Sequence, residues 1–375
     1  MDHQSIFHQL KELIANGQTK YEDFSFQVPT SNYFDSGIYE EELKLIKKGP
    51  ILVDLEGQFD DEVNFRTYND YDLPIVVSRD DKGDFQAFLN VCQHRGATLV
   101  KEAKGKRANF SCPYHSWCYN NKGELTNIPE EGAFPHVKKG RRLSDLRIEK
   151  AFGALWLHTC SESKSIRQYA GGLASDLATA ATRYTRAYKT TEVEYPINWK
   201  FVVDAVLESY HVKTLHHKTF GKVLHGNLGL HESFGCHSRN LYPFKNLRNF
   251  DRVDKVEDLF NCTSFVYHLF PNVIFSIQPE FAVYFSAAPT SPDSCKVISR
   301  YLVAEDADLT AAERGMALTL QGVREDHSLL SKVGANMRAV SATPYVFGQH
   351  EHMLARFHYN LEQRLRVNKG NHCLS

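Results

Sequence analysis

The sequence predicts an α+β protein with two domains: a β-rich N-terminal domain and a larger domain in which helices pack on an antiparallel sheet. The length of 375 residues suits two domains of roughly 100–200 residues each. Short strand-like runs separated by turn residues fill 41–160, and longer helical patterns alternate with strands afterwards. We therefore expect a helical segment at 1–40 that packs on the second domain, a β-rich domain at 41–160 and the second domain at 161–375.

The elements follow from local patterns. Apolar spacing predicts a helix from Ile6 to Ile14, mainly helical structure over 161–190, and a further helix over 198–216. Thr310 and Glu313 form a capping box at the start of a late helix that runs to about Val333. The predicted strands of the second domain, and a last helix after them, are Ser264–His268, Val273–Ile277, Ala282–Ala287, Val297–Val303 and the helix Glu351–Leu365.

Composition argues against several classes of protein. The chain has 44 basic and 45 acidic residues, so its net charge of −1 favours neither nucleic acid nor a membrane surface. No apolar stretch approaches the ~20 residues of a membrane span. The N-terminus lacks the charged-then-apolar order of a signal peptide. We expect a cytoplasmic protein in which the eight cysteines form no disulfides and most of them are buried thiols, while two lie in a pattern of another kind.

Two Cys/His pairs form the first candidate metal site. Cys92-Gln93-His94 and Cys112-Pro113-Tyr114-His115 are separated by seventeen residues, and each pair can occupy the tip of a β-hairpin loop. A structural zinc site is the alternative, because two cysteines and two histidines also suit zinc. Zinc fingers, however, place a helix after the cysteines and pair His with His. One Cys and one His in each half is the pattern that a Rieske [2Fe–2S] cluster needs, with two thiolates on one iron and two imidazoles on the other.

The second candidate metal site lies between Asn198 and His216. His211 and His216 are five residues apart, and Glu208 precedes the first by three, on the same helical face. The two histidines are about 140° apart on an ideal helix, so both can bind one metal only if the helix ends or bulges between them. Two imidazoles and one carboxylate form the triad of oxygen-activating Fe(II), which leaves positions open for O₂ and substrate. A chance pair among 18 histidines is the alternative.

Together, the two motifs resemble the alpha subunits of Rieske non-haem iron oxygenases, the ring-hydroxylating oxygenases. The resemblance rests on the four Cys/His positions, on Asn198-Trp199-Lys200, and on Glu208-Ser209-Tyr210-His211 with His216, and it covers most of the chain. It implies a Rieske domain followed by a helix-grip catalytic domain with a mononuclear iron. Many members have Asp at the position of Glu208, whereas some of the carnitine and quaternary-amine branch have Glu.

The resemblance also implies roles for particular residues. His211 and His216 would bind the mononuclear Fe(II), with a carboxylate from a late helix as third ligand; Asp326 matches best, and Glu325 is the alternative. Glu208 would link the two metal sites across a subunit boundary. Asp204 would be a further carboxylate beside the iron, or else a charge on the helix surface. The cluster ligands would be Cys92, His94, Cys112 and His115.

Partners follow from the same resemblance. In the family, the cluster of one subunit lies close to the iron of its neighbour, which implies a ring-shaped homotrimer or a double trimer. Electrons would come from NADH or NADPH through a separate reductase, with or without a ferredoxin, because the chain lacks a Gly-rich dinucleotide motif between a strand and a helix. The chain should therefore be inactive alone, and the presence of a beta subunit stays open.

The sequence leaves the reaction open between mono- and dioxygenation. Hydroxylation of an aromatic substrate, as in aromatic hydrocarbon catabolism, is the first hypothesis. Oxygenation of an alkylamine or quaternary ammonium compound, with N-dealkylation or C–N cleavage, is the second, and other specialised hydroxylations come third. A Rieske-type electron carrier is the non-enzyme alternative. The predicted pocket residues are Phe201, Val206, Leu215, Phe265, Tyr267, Phe275, Phe281, Tyr284 and Phe285.

Overall fold

The structure, a computed structural model, describes residues 3–19, 21–24, 26–137, 140–339 and 343–368. The chain divides into two compact units. Lys47–Tyr169 forms one unit, and the described residues up to Ile46 form the other together with those from Ala170 onward. The boundaries thus lie at 46/47 and 169/170, where the sequence predicts 40/41 and 160/161.

The described residues of the β-rich unit form ten short strands, and all of their pairings are antiparallel. One sheet has the order β1-β10-β9-β4-β3-β2-β5, and a smaller one has the order β6-β7-β8. Phe88, Phe110 and Tyr119 are fully buried in the core that these sheets share. The strands are β1 (Ile51–Leu55), β2 (Phe65–Tyr68), β3 (Ile75–Arg79), β4 (Phe85–Leu89), β5 (Lys104–Gly105), β6 (Asn109–Ser111), β7 (Cys118–Asn120), β8 (Leu125–Asn127), β9 (Asp145–Ala151) and β10 (Ala154–His158).

The larger unit is built on one antiparallel sheet of seven strands, in the order β11-β17-β16-β15-β14-β13-β12. Its central strands are buried along their whole length because helices cover them. The predicted strands at 264–268, 273–277, 282–287 and 297–303 all lie within it. The strands are β11 (Arg186–Tyr195), β12 (Leu230–Phe234), β13 (His237–Pro243), β14 (Thr263–Leu269), β15 (Val273–Ile277), β16 (Phe281–Ser291) and β17 (Ser294–Val303).

Eight α-helices are present in the described part of the chain, and the longest has 31 residues. None of the described helices combines the length and the apolar character that crossing a membrane requires. The helices are α1 (His3–Asn16), α2 (Ser36–Lys48), α3 (Ile166–Ala170), α4 (Ala174–Arg183), α5 (Trp199–Asp204), α6 (Val256–Phe260), α7 (Leu309–Ala339) and α8 (His352–Asn368).

The register of the large sheet decides which side chains face α7. Val266 pairs with Ser276 and Ile274 with Phe285, so these residues share one face. Phe281 lies on the same face and packs against Ala312 and Met316 of α7. The other face carries a stacked aromatic row, formed by Phe265, Tyr267, Phe275 and Tyr284. These four side chains therefore face away from α7, and the prediction that they line a pocket is wrong for a pocket between the sheet and α7.

Three predicted elements differ from the structure. The helix expected over 161–190 ends at Arg183, because β11 begins at Arg186 and pairs with β17. The helix expected over 198–216 ends at Asp204, and the Glu208 carboxylate accepts from the backbone N–H groups of the residues that follow it. Such side-chain bonds compete with helical ones. The late helix is capped by Asp308, which accepts from two backbone N–H groups of its first turn, and not by the expected pair of Thr310 and Glu313.

Candidate metal centres

Two loops of similar geometry carry the Cys/His pairs. In the first, the N–H of Gly96 donates to the carbonyl of Cys92, and the N–H of Cys92 donates to the carbonyl of Ala97. In the second, Ser116, Cys112 and Trp117 repeat both bonds at the corresponding positions. Gly96 and Ser116 both have positive φ, at 76° and 58°. Each loop is thus a tight turn that holds its cysteine at a fixed place.

The four side chains fit a two-iron cluster. Cys92 and Cys112 are buried, with 2% and 3% of their surface exposed. The rings of His94 and His115 lie 4.7 Å apart, and their Nδ1 atoms are buried without a hydrogen-bond partner. Two buried thiols and two unpartnered imidazole nitrogens match the donor set of a Rieske cluster.

Spacing distinguishes this set from a single zinc site. Ligands of one zinc lie about 2.0–2.3 Å from the ion, and therefore within roughly 4 Å of each other. Among the residues that the structure describes, a single group of three such side chains has its ligand atoms within 4.8 Å, and it does not include these cysteines. The wider Cys/His set favours two metal ions over one.

Neighbouring aromatic residues fix these side chains. Trp117 stacks in parallel on His94, with 4.7 Å between the ring centroids. The N–H of Gln93 donates to the Tyr119 hydroxyl at 3.1 Å, and this hydroxyl lies 3.5 Å from Cys92 Sγ. Because the oxygen accepts from the backbone, its own hydrogen is free to point at the sulfur.

The compact metal-binding group is His211, His216 and Asp326, whose ligand atoms all lie within 4.8 Å. Asp326 Oδ1 is 2.9 Å from His216 Nε2 and 3.6 Å from His211 Nε2. The chain breaks its helix before this group, and His211 begins a separate 3₁₀ turn. The expected condition for two histidines to share one metal is thereby met.

A carboxylate bonds to the Nδ1 atom of each imidazole. Glu208 Oε1 bonds to His211 Nδ1, and Glu325 Oε2 bonds to His216 Nδ1 at 2.8 Å. Burial lowers the pKa of both histidines, but the adjacent carboxylates outweigh it and leave the pKa of each raised. With Nδ1 occupied, both rings present Nε2 toward Asp326, which is the arrangement that outer carboxylates give metal-binding histidines.

The two adjacent acidic residues of α7 therefore have different contacts. Asp326 lies against both Nε2 atoms, whereas Glu325 bonds to Nδ1 of His216 and accepts from Thr219 Oγ1 at 2.7 Å. Sequence reasoning treated Glu325 only as an alternative ligand and missed this contact. The signal that could reveal it is a carboxylate next to a candidate ligand on one helix.

Asp204 lies in another environment. Its carboxylate accepts from Tyr33 at 2.6 Å and lies 2.9 Å from His358 Nε2. It is buried, so the interpretation as a helix-surface charge is wrong. Tyr33 belongs to the N-terminal segment and His358 to α8, and neither is part of the metal-binding group.

A cavity of about 570 Å³ opens at His211, His216 and Asp326. It lies on the α7 side of the large sheet, and of the nine predicted pocket residues it includes Val206, Phe281 and Phe285. Its further aromatic walls are Phe220, Tyr242 and Phe244. This cavity is large enough for a small organic molecule next to a metal ion.

The fold and the two centres define a protein with a Cys₂His₂ cluster domain and a helix-covered sheet that carries a His₂-carboxylate site. Residues 50–139 match the family described as Rieske [2Fe-2S] domain, and residues 181–366 match the ring hydroxylating alpha subunit (catalytic domain). The chain belongs to the alpha subunits of the Rieske non-haem iron oxygenases. Its cofactors are accordingly a Rieske [2Fe–2S] cluster and a mononuclear iron.

Named relatives agree with this assignment. The large subunit of anthranilate 1,2-dioxygenase from Acinetobacter baylyi is 29% identical over 216 residues, which are 54% of this chain and 45% of that protein. The glycine betaine monooxygenase oxygenase subunit from Pseudomonas aeruginosa is 27% identical over 195 residues, 52% of this chain and 46% of that protein. The match thus spans about half the length of each relative.

The fold is also similar to a solved structure. Naphthalene 1,2-dioxygenase from Rhodococcus sp. bound to indole superimposes with a TM-score of 0.79 at 17% identity. The match covers 98% of this chain and 99% of that one. The predicted fold class, a β-rich Rieske domain with an antiparallel sheet and helices after it, is confirmed.

Proposed function

We propose that this chain is the terminal oxygenase component of a Rieske oxygenase system and hydroxylates a small, aromatic substrate. The observation that carries the proposal is the His211, His216 and Asp326 group at the wall of a cavity of about 570 Å³. A chain that only carried electrons would need neither the second metal site nor the cavity. In this proposal, residues 41–160 form the cluster domain, 161–375 form the catalytic domain, and 1–40 pack on the latter.

The donor atoms assign the ligands. Cys92 and Cys112 would hold one iron of the cluster, with His94 and His115 on the other through Nδ1. His211, His216 and Asp326 would hold the mononuclear iron. When bound, the cluster supplies single electrons, and the iron supplies open positions for O₂.

The residues around the iron site orient its ligands and receive the substrate. Glu208 and Glu325 keep Nδ1 of the two histidines occupied, so only Nε2 is available to the metal. The three ligands leave the cavity side free. The aromatic walls exclude water and can pack against a planar apolar substrate.

The electron path requires partners. Glu208 lies beside His211 and next to Tyr210, which is 56% exposed. We assign to Glu208 the link between His211 and a cluster histidine of a neighbouring subunit, which calls for a homotrimer or a double trimer. A separate reductase, with or without a ferredoxin, would pass electrons from NADH or NADPH to the cluster.

A second candidate substrate class is a quaternary ammonium or alkylamine compound. The cavity walls include five aromatic side chains and the carboxylate of Glu280, and such a set can bind a cation. One relative is named for glycine betaine. Product analysis with a surrogate reductase, across aromatic acids and quaternary amines, separates the two classes.

Iron content and O₂ uptake test the proposal. An oxygenase should hold three irons per chain, and a carrier should hold two. His211→Ala should abolish substrate-dependent O₂ consumption while the visible and EPR spectra of the cluster stay unchanged. An iron content of two per chain in the fully loaded wild type would contradict the proposal. So would substrate-dependent O₂ consumption by His211→Ala at the wild-type rate.

A further inference from the structure

The cavity floor contains one polar spot within the large sheet. Ser264 on β14 and Ser276 on β15 both line the cavity, with 5% and 6% of their surface exposed. Gln278, directly after β15, lines it as well. Apolar side chains surround the spot on the same face of the sheet, including Val266 and Ile274. A polar group in such a wall costs stability unless it has a partner.

The hydrogen bonds among these three side chains show which donors the polar spot presents to a ligand. The amide nitrogen of Gln278 donates to Ser264 Oγ at 2.7 Å and to Ser276 Oγ at 2.9 Å, which uses both of its hydrogens. Each serine oxygen is therefore an acceptor in this cluster, and its own hydrogen is left over. Among the described residues, neither hydroxyl donates to an acceptor. The cavity floor thus presents two O–H donors side by side.

The charged residues around the cavity also favour a ligand that accepts hydrogen bonds and carries negative charge. Lys222 and Lys245 line it at its exposed side, and neither forms an ion pair with a described residue. Of the acidic lining residues, Glu208 and Asp326 lie at the metal-binding group, so Glu280 is the acidic lining residue away from it. Away from the metal-binding group the lining therefore has two lysines and one glutamate, a balance that favours an anionic ligand.

We infer that the cavity selects aromatic carboxylates, whose anionic group accepts hydrogen bonds from Ser264 and Ser276 while the ring packs on the aromatic walls. The inference rests on the proposed function, because it names the substrate class of that site. A carboxylate has lone pairs for both hydroxyls and no hydrogen of its own to conflict with theirs. A quaternary ammonium group can accept no hydrogen bond and would leave both donors unpaired.

Calorimetric titration of the cluster- and Fe(II)-loaded protein without O₂ tests this, with benzoate, benzamide and phenyltrimethylammonium as probes. Benzoate should bind roughly tenfold more tightly than benzamide, since hydrogen bonds to a charged acceptor are stronger. Phenyltrimethylammonium should bind more weakly than both. Removing both hydroxyls in the Ser264→Ala, Ser276→Ala variant should cost benzoate at least about tenfold in affinity and change benzamide less.

A matched control and a reversal variant complete the test. Ser238 is buried in the same sheet and accepts from the amide nitrogen of Asn240 at 3.1 Å, but it does not line the cavity, so Ser238→Ala should keep benzoate affinity. Gln278→Glu would turn both serine hydrogens toward its carboxylate and add a negative charge, so it should favour phenyltrimethylammonium over benzoate. Wild-type Fe(II) loading of the His211, His216 and Asp326 site shows that the larger unit of each variant is folded.

The inference is wrong if benzoate does not bind the wild type, or if it binds no more tightly than phenyltrimethylammonium. It is also wrong if the double serine variant keeps wild-type benzoate affinity. These outcomes concern binding without O₂. They are therefore separate from the iron content and O₂ uptake that test the oxygenase function itself.

Discussion

Removing the Glu325 carboxylate should weaken iron binding without removing a ligand. Glu325 accepts from His216 Nδ1 at 2.8 Å and from Thr219 Oγ1 at 2.7 Å, so it fixes the ring of His216 and directs Nε2 toward Asp326. Burial raises the pKa of Glu325, but these two hydrogen bonds outweigh it and leave the pKa below its usual value. The group is therefore an ionised carboxylate that polarises the imidazole.

The expected magnitude follows from this geometry. Loss of an outer partner of a metal-binding histidine typically costs 10–100-fold in metal affinity. This corresponds to about 1.4–2.7 kcal/mol for Glu325→Ala. Glu325→Gln retains an acceptor for His216 but loses the charge, so its cost should lie at the lower end. Asp326→Ala removes a ligand and should cost more than either.

Anaerobic Fe(II) titration against a competing chelator measures these affinities on protein that already holds its cluster. Glu313→Ala is the matched control, because Glu313 also lies on α7 but accepts from Tyr188 at 2.6 Å, away from the iron site. Wild-type affinity in Glu325→Ala would refute the orienting role. If Glu325→Ala abolished iron binding while Asp326→Ala reduced it only mildly, the two carboxylates would have exchanged roles.

Three further predictions concern other parts of the chain. Tyr119→Phe removes the hydroxyl 3.5 Å from Cys92 Sγ. The reduction potential of the cluster, measured by protein-film voltammetry, should fall by about 20–60 mV, which corresponds to the free energy of one hydrogen bond. An unchanged potential would exclude that bond. A Cβ at Gly322 would lie 2.2 Å from the Phe220 ring, and this ring packs on His216. Gly322→Ala should therefore displace the ring and lower kcat/KM about tenfold. Gly334→Ala should not, because the nearest atom to a Cβ there, on Phe201, is 3.5 Å away. Burial lowers the pKa of His268 from 6.5 to about 4. At His268 the unfolded chain therefore binds a proton that the folded chain does not, and this group alone should lower the free energy of unfolding by up to about 3 kcal/mol as the pH drops from about 6.5 to 4. Urea unfolding should show a smaller fall over this pH range in His268→Gln than in the wild type.

The metal-binding residues were accessible from the sequence because their chemistry restricts both residue type and spacing. Cys92, His94, Cys112 and His115 lie in short loops, so neighbours in sequence are neighbours in space. The β strands were likewise predicted from local alternation and turns. The end of α5 at Asp204 was not, because it depends on a side-chain carboxylate that competes for backbone N–H groups further along the chain.

The sheet face that lines the cavity could not be predicted from alternation alone. Along β14, Phe265 and Tyr267 point to one face of the sheet, and Ser264 and Val266 point to the other. The alternation itself does not say which face is which, because only the pairing with β15 and β16 decides which pair faces α7. The aromatic pair was chosen because large apolar residues suggest a pocket. The structure places them in the stacked row on the other face, and they do not line the cavity at the metal-binding group.

The choice between Glu325 and Asp326, by contrast, was contained in the periodicity of α7. The helix contributes Ala311, Gly315, Leu318, Thr319, Val323 and Asp326 to the cavity wall. These positions recur at three- and four-residue intervals, which defines one helical face. Asp326 lies near the middle of that face, whereas Glu325, seven residues after Leu318, lies at its edge, about 100° around the helix from Asp326. Small residues at 315 and 322 mark the same face, since Phe281 and Phe220 approach the helix there. A carboxylate near the middle of this stripe of mostly small and apolar residues therefore predicts the ligand, and the acidic neighbour at the edge of the stripe predicts its partner.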